Sequence, residues 1–426
     1  MYVSSSAVHR PVAPLFQPPL SSMDSIEVPQ YYICPISLQI MKDPVTAITG
    51  ITYDRESIER WLFIDNNMTC PVTKQPLPKD SDLTPNHSLR RLIQAWCTAN
   101  ASNGIDRIPT PRAPIDKPGV LQLLDNLLVP HLQLNSLKLI AALASESECN
   151  RRCMVQSGAT SSLIQSIISC SNNNQINLIE VALSAIHSLR VPPEDLKPTV
   201  TDNHDLIESL TWVLLHDSGD HCHIRSATLV FLKSVIEVTS SSLRERLKLD
   251  FFRALTLAIR DRISQQATKA ALQVLWHACS WGRNRTKIIE AGALSEIIEL
   301  ELAFSDKRTT ELNLAILDQL CACAGGRAEL VGHAAGIAVI SKRILRVSPV
   351  ADDRAVRILS SVCRYSATKE VLQEMLRVGA VSKLCFVLQA DCSSSVKGKA
   401  RWVLRSHSGV WKDSPCINFQ LLSWYP

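Results

Sequence analysis

The chain has 426 residues, 46% of them hydrophobic but only 5% aromatic, with 45 Lys and Arg against 40 Asp and Glu. Its length exceeds one compact core and implies two or three domains or an elongated array, and its aliphatic composition suits helices better than a β-sandwich. The net charge of +5 reads as spread along the chain rather than gathered in a patch, so no nucleic-acid partner is expected.

Residues 1–28 are rich in proline and serine, lack the apolar core of a secretory signal, and read as a disordered lead. Recognisable structure begins a few residues after Met23, which is expected to serve as an alternative start. Residues 29–98 have the texture of a small α+β module. In "VTAITGITYD" two β-branched arms turn at Thr49-Gly50, a hairpin. Asp54 is expected to cap the helix "RESIERWLFI", with Ile58, Trp61 and Leu62 on one face. Asn86 is expected to cap "HSLRRLIQAWCTA", where Leu89, Leu92, Ile93 and Trp96 follow helical spacing. Residues 99–119 carry four prolines and read as a linker.

Residues 120–410 repeat, before a tail at 411–426. "NRTKIIEAGALSEIIELEL" returns as "GRAELVGHAAGIAVISKRIL" and "TKEVLQEMLRVGAVSKLCFVL", and "NRRCMVQSGATSSLIQSII" precedes them. Gly292, Gly336 and Gly379 stand 44 and 43 residues apart, and the 134 residues from Gly158 to Gly292 hold three such periods. "NHDLIESLTWVLL" and "KLDFFRALTLAI" fill that gap as degenerate copies. A period in the forties marks an armadillo- or HEAT-type solenoid, each unit too small to bury its own apolar face. In each copy a short helix is expected to end at glycine in a left-handed turn. Cys279, Cys321, Cys363 and Cys385 fall on apolar helical faces and read as reduced core thiols of a cytosolic or nuclear protein. No stretch is long and apolar enough for a membrane span.

Two stretches in the module outline a zinc site without its ligands. "CPIS" holds Ser37 where a C-x₂-C pair would place its second cysteine, and "CPVT" holds Thr73. Two tetrahedral zinc ions need eight ligands, whereas residues 29–97 offer Cys34, Cys70, Cys97 and His87. No metal and no cofactor are expected. Ser37 and Thr73 should instead hold the loops by hydrogen bonds, with Asp43, Asp54 and Arg55 as candidate partners.

Together "CPISLQIMKDPV", "TGITYDRESIERWL", "CPVTKQPL" and "LTPNHSLRRLIQAW" resemble a U-box, the zinc-free relative of the RING domain. U-box, linker and armadillo repeats in that order resemble the plant U-box ubiquitin ligases. "DLTPNHSLRRLIQAWC", "RIPTPRAP" and "SWGRNRTKIIEAGALSEIIELE" point to the stress- and immunity-associated branch. The expected fold is thus mainly α: a small RING-like α+β U-box followed by an armadillo-type α-solenoid.

The resemblance implies a ligase with no nucleophile of its own, so neither Cys34 nor Cys70 carries ubiquitin. A ubiquitin-loaded conjugating enzyme would dock on two loops and a helix groove, while the repeats hold a protein substrate. Carried over, the dock comprises Ile36, Leu38, Trp61, Pro71 and Lys74, and the scaffold Cys34, Ser37, Asp43, Tyr53, Asp54, Arg55, Cys70 and Thr73. Homodimerisation through the U-box near Leu92 and Trp96 is a further expectation. Thr84-Pro85 and Thr110-Pro111 have the form of proline-directed phosphorylation sites. Other motifs carry less: "DHCHIR" cannot turn alternating residues onto one ion, and "AGGRAELVG" lacks the Gly-Lys-Ser/Thr ending of a P-loop. The rival function is an armadillo adaptor without ligase activity.

Overall fold

The computed structural model describes residues 28–78, 81–103, 105–106, 114–216, 222–303 and 306–411. The lead to residue 27, residues 104 and 107–113 of the linker with Thr110, and the tail from residue 412 lie outside them, as do Asp220 and His221 of "DHCHIR". The chain forms two compact units that divide between Ala113 and Pro114.

In the first unit β1 (Pro44–Thr46) and β2 (Thr52–Asp54) form the expected hairpin, with Val45 opposite Tyr53. Gly50 sits at φ +78°, and its N–H donates to the Ala47 carbonyl at 2.8 Å. A third strand, β3 (Thr84–Pro85), was not legible in the sequence; it pairs antiparallel to β1, giving the order β2-β1-β3. Proline is tolerated there because β3 is an edge strand.

The next residue, Asn86, starts α2 (His87–Ala99) as expected: its Oδ1 accepts from the Leu89 N–H at 3.0 Å. On α2 the buried residues are Ile93 and Cys97, whereas Leu92 is exposed.

Asp54 departs from its expected role. It stands at the N-cap of α1 (Arg55–Glu59), but its carboxylate makes no capping bond. Its Oδ1 accepts instead from the Lys42 and Asp43 N–H groups, at 2.7 and 2.9 Å, closing the approach to β1. Nor does α1 continue as one α-helix to Ile64. A π turn over Arg60–Ile64 follows, with the Asp65 N–H donating to the Arg60 carbonyl at 3.0 Å. Such widened turns recur at functional sites. The core of this unit gathers Cys34, Val45, Tyr53, Ile58, Leu62, Cys70 and Leu77, all fully buried.

Among the described residues the helices of the second unit begin at Lys117 and end at Trp411, so the first of them starts inside the stretch read as linker. One contiguous hydrophobic core runs from Val120 to Trp411. Seven of its helices pack in succession as a ladder: Pro130–Glu146, Ile176–Leu189, Cys222–Val238, Gln265–Ala278, Lys307–Cys321, Pro349–Tyr365 and Ser394–Ser406. A repeated Asn-Arg pair locks rungs to the short helices that follow. Asn150 and Asn284, both buried, donate to the carbonyls of Leu143 and Ala278. Arg151, Arg285 and Arg327 donate to those of Ala144, Cys279 and Cys321. These carbonyls lie at helix C-termini, where cationic donors are favoured.

Gly158, Gly292 and Gly379 adopt the expected left-handed turn, at φ +90°, +76° and +73°. Gly336 does not. It opens the helix Gly336–Arg343, and a Cβ there would lie 2.0 Å from the Leu330 carbonyl oxygen. Close approach, not backbone handedness, requires glycine at this position. A second correction concerns charge. The last four ladder helices carry ten Lys and Arg against four Asp and Glu, a net +6 that exceeds the whole chain's +5. The first three carry Lys138, Arg225 and Lys233 against Glu146, Glu180 and Glu237. The basic excess is therefore gathered rather than spread.

Candidate functional site: two matched loops of the first unit

The segments Ile33–Ile40 and Thr69–Pro76 repeat each other bond for bond. Each is closed by an isolated antiparallel bridge, Ile33 to Ile40 and Thr69 to Pro76. The Cys34 N–H donates to the Gln39 carbonyl at 2.8 Å, and the Cys70 N–H to that of Gln75 at 2.8 Å. The Leu38 N–H returns to the Cys34 carbonyl at 2.9 Å, and the Lys74 N–H to that of Cys70 at 3.0 Å. Both Leu38 and Lys74 have positive φ, +56° and +59°. A left-handed conformation in a non-glycine residue costs on the order of 1 kcal/mol, so both loops hold strain that the surrounding bonds sustain.

Those bonds converge on the two cysteine sulfurs. Cys70 Sγ lies 2.9 Å from the Tyr53 hydroxyl and accepts from Thr49 Oγ1 and the Thr73 N–H, each at 3.4 Å. Burial would raise this thiol, but the donors Thr49, Thr73 and Tyr53 outweigh it and bring Cys70 down to about 6. Cys34 Sγ accepts from the Asp54 N–H at 3.3 Å and from Ser37; burial opposes ionisation there too, yet the donors draw its pKa below the usual thiol value. Tyr53 moves the other way, raised by burial and by its Cys70 neighbour. Adjacent residues of β2, Tyr53 and Asp54, thus tie both loops to one strand.

This network differs in part from the sequence expectation. Ser37 and Thr73 each serve the cysteine of their own loop, not Asp43, Asp54 or Arg55. A loop of this size brings positions i and i+3 together, whereas the acidic cluster belongs to a separate ionic group. There Arg55 Nε donates to Asp43 at 2.7 Å, Arg90 approaches Asp43 at 3.5 Å, and Arg55 lies 3.6 Å from the buried Glu59.

Among the expected dock residues, Leu38 is 77% exposed at the tip of its loop and Lys74 is exposed at the matching tip. Ile36 and Pro71 are half-buried. Trp61 is half-buried in the π turn, and its Nε1 donates to the Thr69 carbonyl at 2.8 Å, fixing the indole to the second loop. Sequence reasoning missed Val72, half-exposed, which stands in the second loop where Ile36 stands in the first. Aligning "CPISLQI" with "CPVTKQP" was the available signal. Ile64 and Met68, also exposed, were missed with no comparable signal. Thr84 is exposed on β3. Among the described residues no group of three His, Cys, Asp or Glu side chains is arranged to hold a metal ion. No helix there is long and apolar enough to cross a membrane.

Loops braced by hydrogen bonds at positions where relatives of this fold bind zinc define a U-box, and the U-box domain family model matches residues 28–102. The model of the plant U-box protein ARM repeat region matches residues 120–425. The chain belongs to the plant U-box, armadillo-repeat family and is a U-box-type ubiquitin transferase. Among its relatives, "E3 ubiquitin-protein ligase PUB23" of Arabidopsis thaliana is 45% identical over 409 residues, 95% of this chain and 98% of that protein. "E3 ubiquitin-protein ligase PUB22" of the same plant is 42% identical over 94% of this chain and 99% of that protein. For "E3 ubiquitin-protein ligase PUB24" the identity is 41%, over 94% and 96%. A solved structure described as "A conserved phosphorylation switch controls the interaction between cadherin and beta-catenin in vitro and in vivo" aligns over 75% of this chain and 58% of its own. Its TM-score is 0.52 and its identity 12%, a likeness of fold alone.

Proposed function

We propose that the two matched loops and the Trp61 turn recruit a ubiquitin-conjugating enzyme carrying ubiquitin as a thioester, while the armadillo ladder holds a protein substrate. A substrate lysine amine then attacks the thioester carbonyl, forming an isopeptide bond and releasing the conjugating enzyme's cysteine thiolate. The ligase supplies nearness and orientation, which can replace a large entropic barrier. Both of its own loop cysteines are fully buried, in keeping with a transfer that never rests on them. The observation that carries the reading is the pair of strained, bonded loops presenting Leu38 and Val72 outward beside Ile36 and Pro71. Lys74 adds a cation at the second tip, a point charge without arginine's fork.

The setting we propose is stress or immune signalling in a plant cell, in the cytosol and nucleus. The exposed Leu92 and the half-buried Trp96 on α2 are the surface we propose for a U-box homodimer. Phosphate on Thr84 would add nearly two negative charges to the edge strand that leads into α2, the helix of Arg90.

Reconstitution with activating enzyme, conjugating enzymes and ubiquitin tests the ligase reading. Wild type forms chains, and Ile36→Ala or Trp61→Ala lowers the rate by about tenfold or more, as loss of a buried interface anchor does. Chain formation by no conjugating enzyme would favour an adaptor without ligase activity.

A further inference from the structure

The last four ladder helices form a basic end of the solenoid. On the helix Pro349–Tyr365, Asp353, Arg354, Arg357 and Arg364 share one face by helical spacing. Arg354 reaches past the intervening helix Lys307–Cys321 and stacks on Trp276 of Gln265–Ala278, 5.2 Å from the ring centre. Arg364 stacks on Trp402 of the last rung at 4.6 Å. Arg357 takes up the acidic groups, pairing with Asp318 one rung back and Asp353 on its own helix. Lys399 of the last rung also approaches Asp353, at 3.7 Å.

This arrangement divides the cations by task. The carboxylates of Asp318 and Asp353 are already paired with Arg357, whereas Arg354, which also feels the charge of Asp318, and Arg364 make no ion pair among the described residues and stack on indole faces. A guanidinium stacked on a ring keeps its N–H edge free, and that edge matches a carboxylate bidentately. Stacking also fixes the side chain before any partner arrives, which removes part of the ordering cost of binding.

We infer that the last four ladder helices bind an acidic segment of a protein partner in extended conformation, its carboxylates meeting the stacked edges of Arg354 and Arg364. The inference rests on the ladder being the substrate-holding part of the ligase and names the chemistry of what it holds. Charge complementarity selects the occupant: this region has net charge +6, against zero for the first three rungs. A nucleic acid fits less well. Its evenly spaced phosphates would meet the interleaved Glu311, Asp318 and Asp353, and Trp276 and Trp402 each already carry an arginine on one ring face. Three steps between rungs about 10 Å apart span about 30 Å, the reach of about nine extended residues.

The test uses the full chain and a fluorescein-labelled peptide of about twelve residues, long enough for that span, composed of Glu, Asp and Leu. Its Gln, Asn and Leu counterpart and a single-stranded DNA of equal length serve as comparators. Fluorescence anisotropy should show the acidic peptide binding at least about tenfold more tightly than the neutral one, and weakening as salt rises from about 50 to about 200 mM. The double variant Arg354→Gln, Arg364→Gln should lose about fivefold or more in affinity, the share of two charge-assisted contacts. The control Lys138→Gln, Lys233→Gln, on the first rungs, should bind as wild type does. Self-ubiquitination by the Arg354→Gln, Arg364→Gln protein should keep its wild-type rate, so a failed U-box and a failed groove give different results. Equal affinity for the neutral peptide, or DNA binding more tightly than the acidic peptide, overturns the inference on the unsubstituted protein.

Discussion

Cysteine behaves in opposite ways in the two halves of this chain. In the solenoid Cys279, Cys321 and Cys363 are buried among aliphatic side chains, and burial pushes each thiol up to about 12. In the U-box Cys34 and Cys70 are just as buried, yet hydroxyl and amide donors pull both downward, Cys70 to about 6. The first group fills volume; the second gathers hydrogen bonds. Distributed packing suits a solenoid, where each rung contacts only its neighbours. A module of about seventy residues is near the lower size limit for a stable core, and so depends on individual polar bonds.

Substitutions can break that contrast, taken here from the largest effect to the smallest. Leu317→Ala removes a fully buried side chain from the ladder helix Lys307–Cys321 and should cost about 2–5 kcal/mol. It should lower the solenoid's thermal transition and leave ubiquitin discharge by the U-box at its wild-type rate. A matching loss of discharge would mean that the two regions do not respond separately.

Cys70→Ala should cost about 1–3 kcal/mol, since the Tyr53 hydroxyl and the Thr49 and Thr73 donors lose their acceptor. Hydrogen exchange at residues 69–77 would report it. The same change in the ladder, Cys279→Ala, should leave those amides unaltered.

The thiol shifts also set a pH dependence. A group whose folded pKa is depressed, as that of Cys70 is from 9.0 to about 6, adds stability that is complete above its unfolded value and is lost as pH falls through its folded one. The U-box transition of wild type should therefore weaken between about pH 9 and about pH 6. In Cys70→Ala that slope should flatten; an unchanged slope would remove the thiol from the explanation. Asn86→Ala, which removes the α2 cap, should cost about 1 kcal/mol in the same transition.

Much of the fold was legible because its signals are local. The β-branched arms around Gly50, the Asn86 cap and the turns at Gly158, Gly292 and Gly379 each depend on a few neighbouring residues, and the structure has all of them. The misses share a cause. Asp54 looked like a cap because aspartate before a helix usually is one, but two amides from across the module compete for the same oxygen. β3 consists of Thr84 and Pro85 and has no strand pattern; only its partner β1 makes it one. Gly336 matched the repeat while serving a close approach that no periodicity encodes.

By itself the sequence determined the class of each region: a zinc-poor, loop-rich module with Ser37 and Thr73 in ligand positions, then a solenoid with a period in the forties. Spacing and residue type suffice for that, because helical and turn preferences act over a few residues. Only the tertiary structure decided which atoms meet. It gathered Thr49, Tyr53 and Thr73 on one sulfur, and it stacked Arg354 on Trp276 from two rungs away. Such contacts join residues far apart in sequence, so their partners are fixed by packing and not by any local pattern.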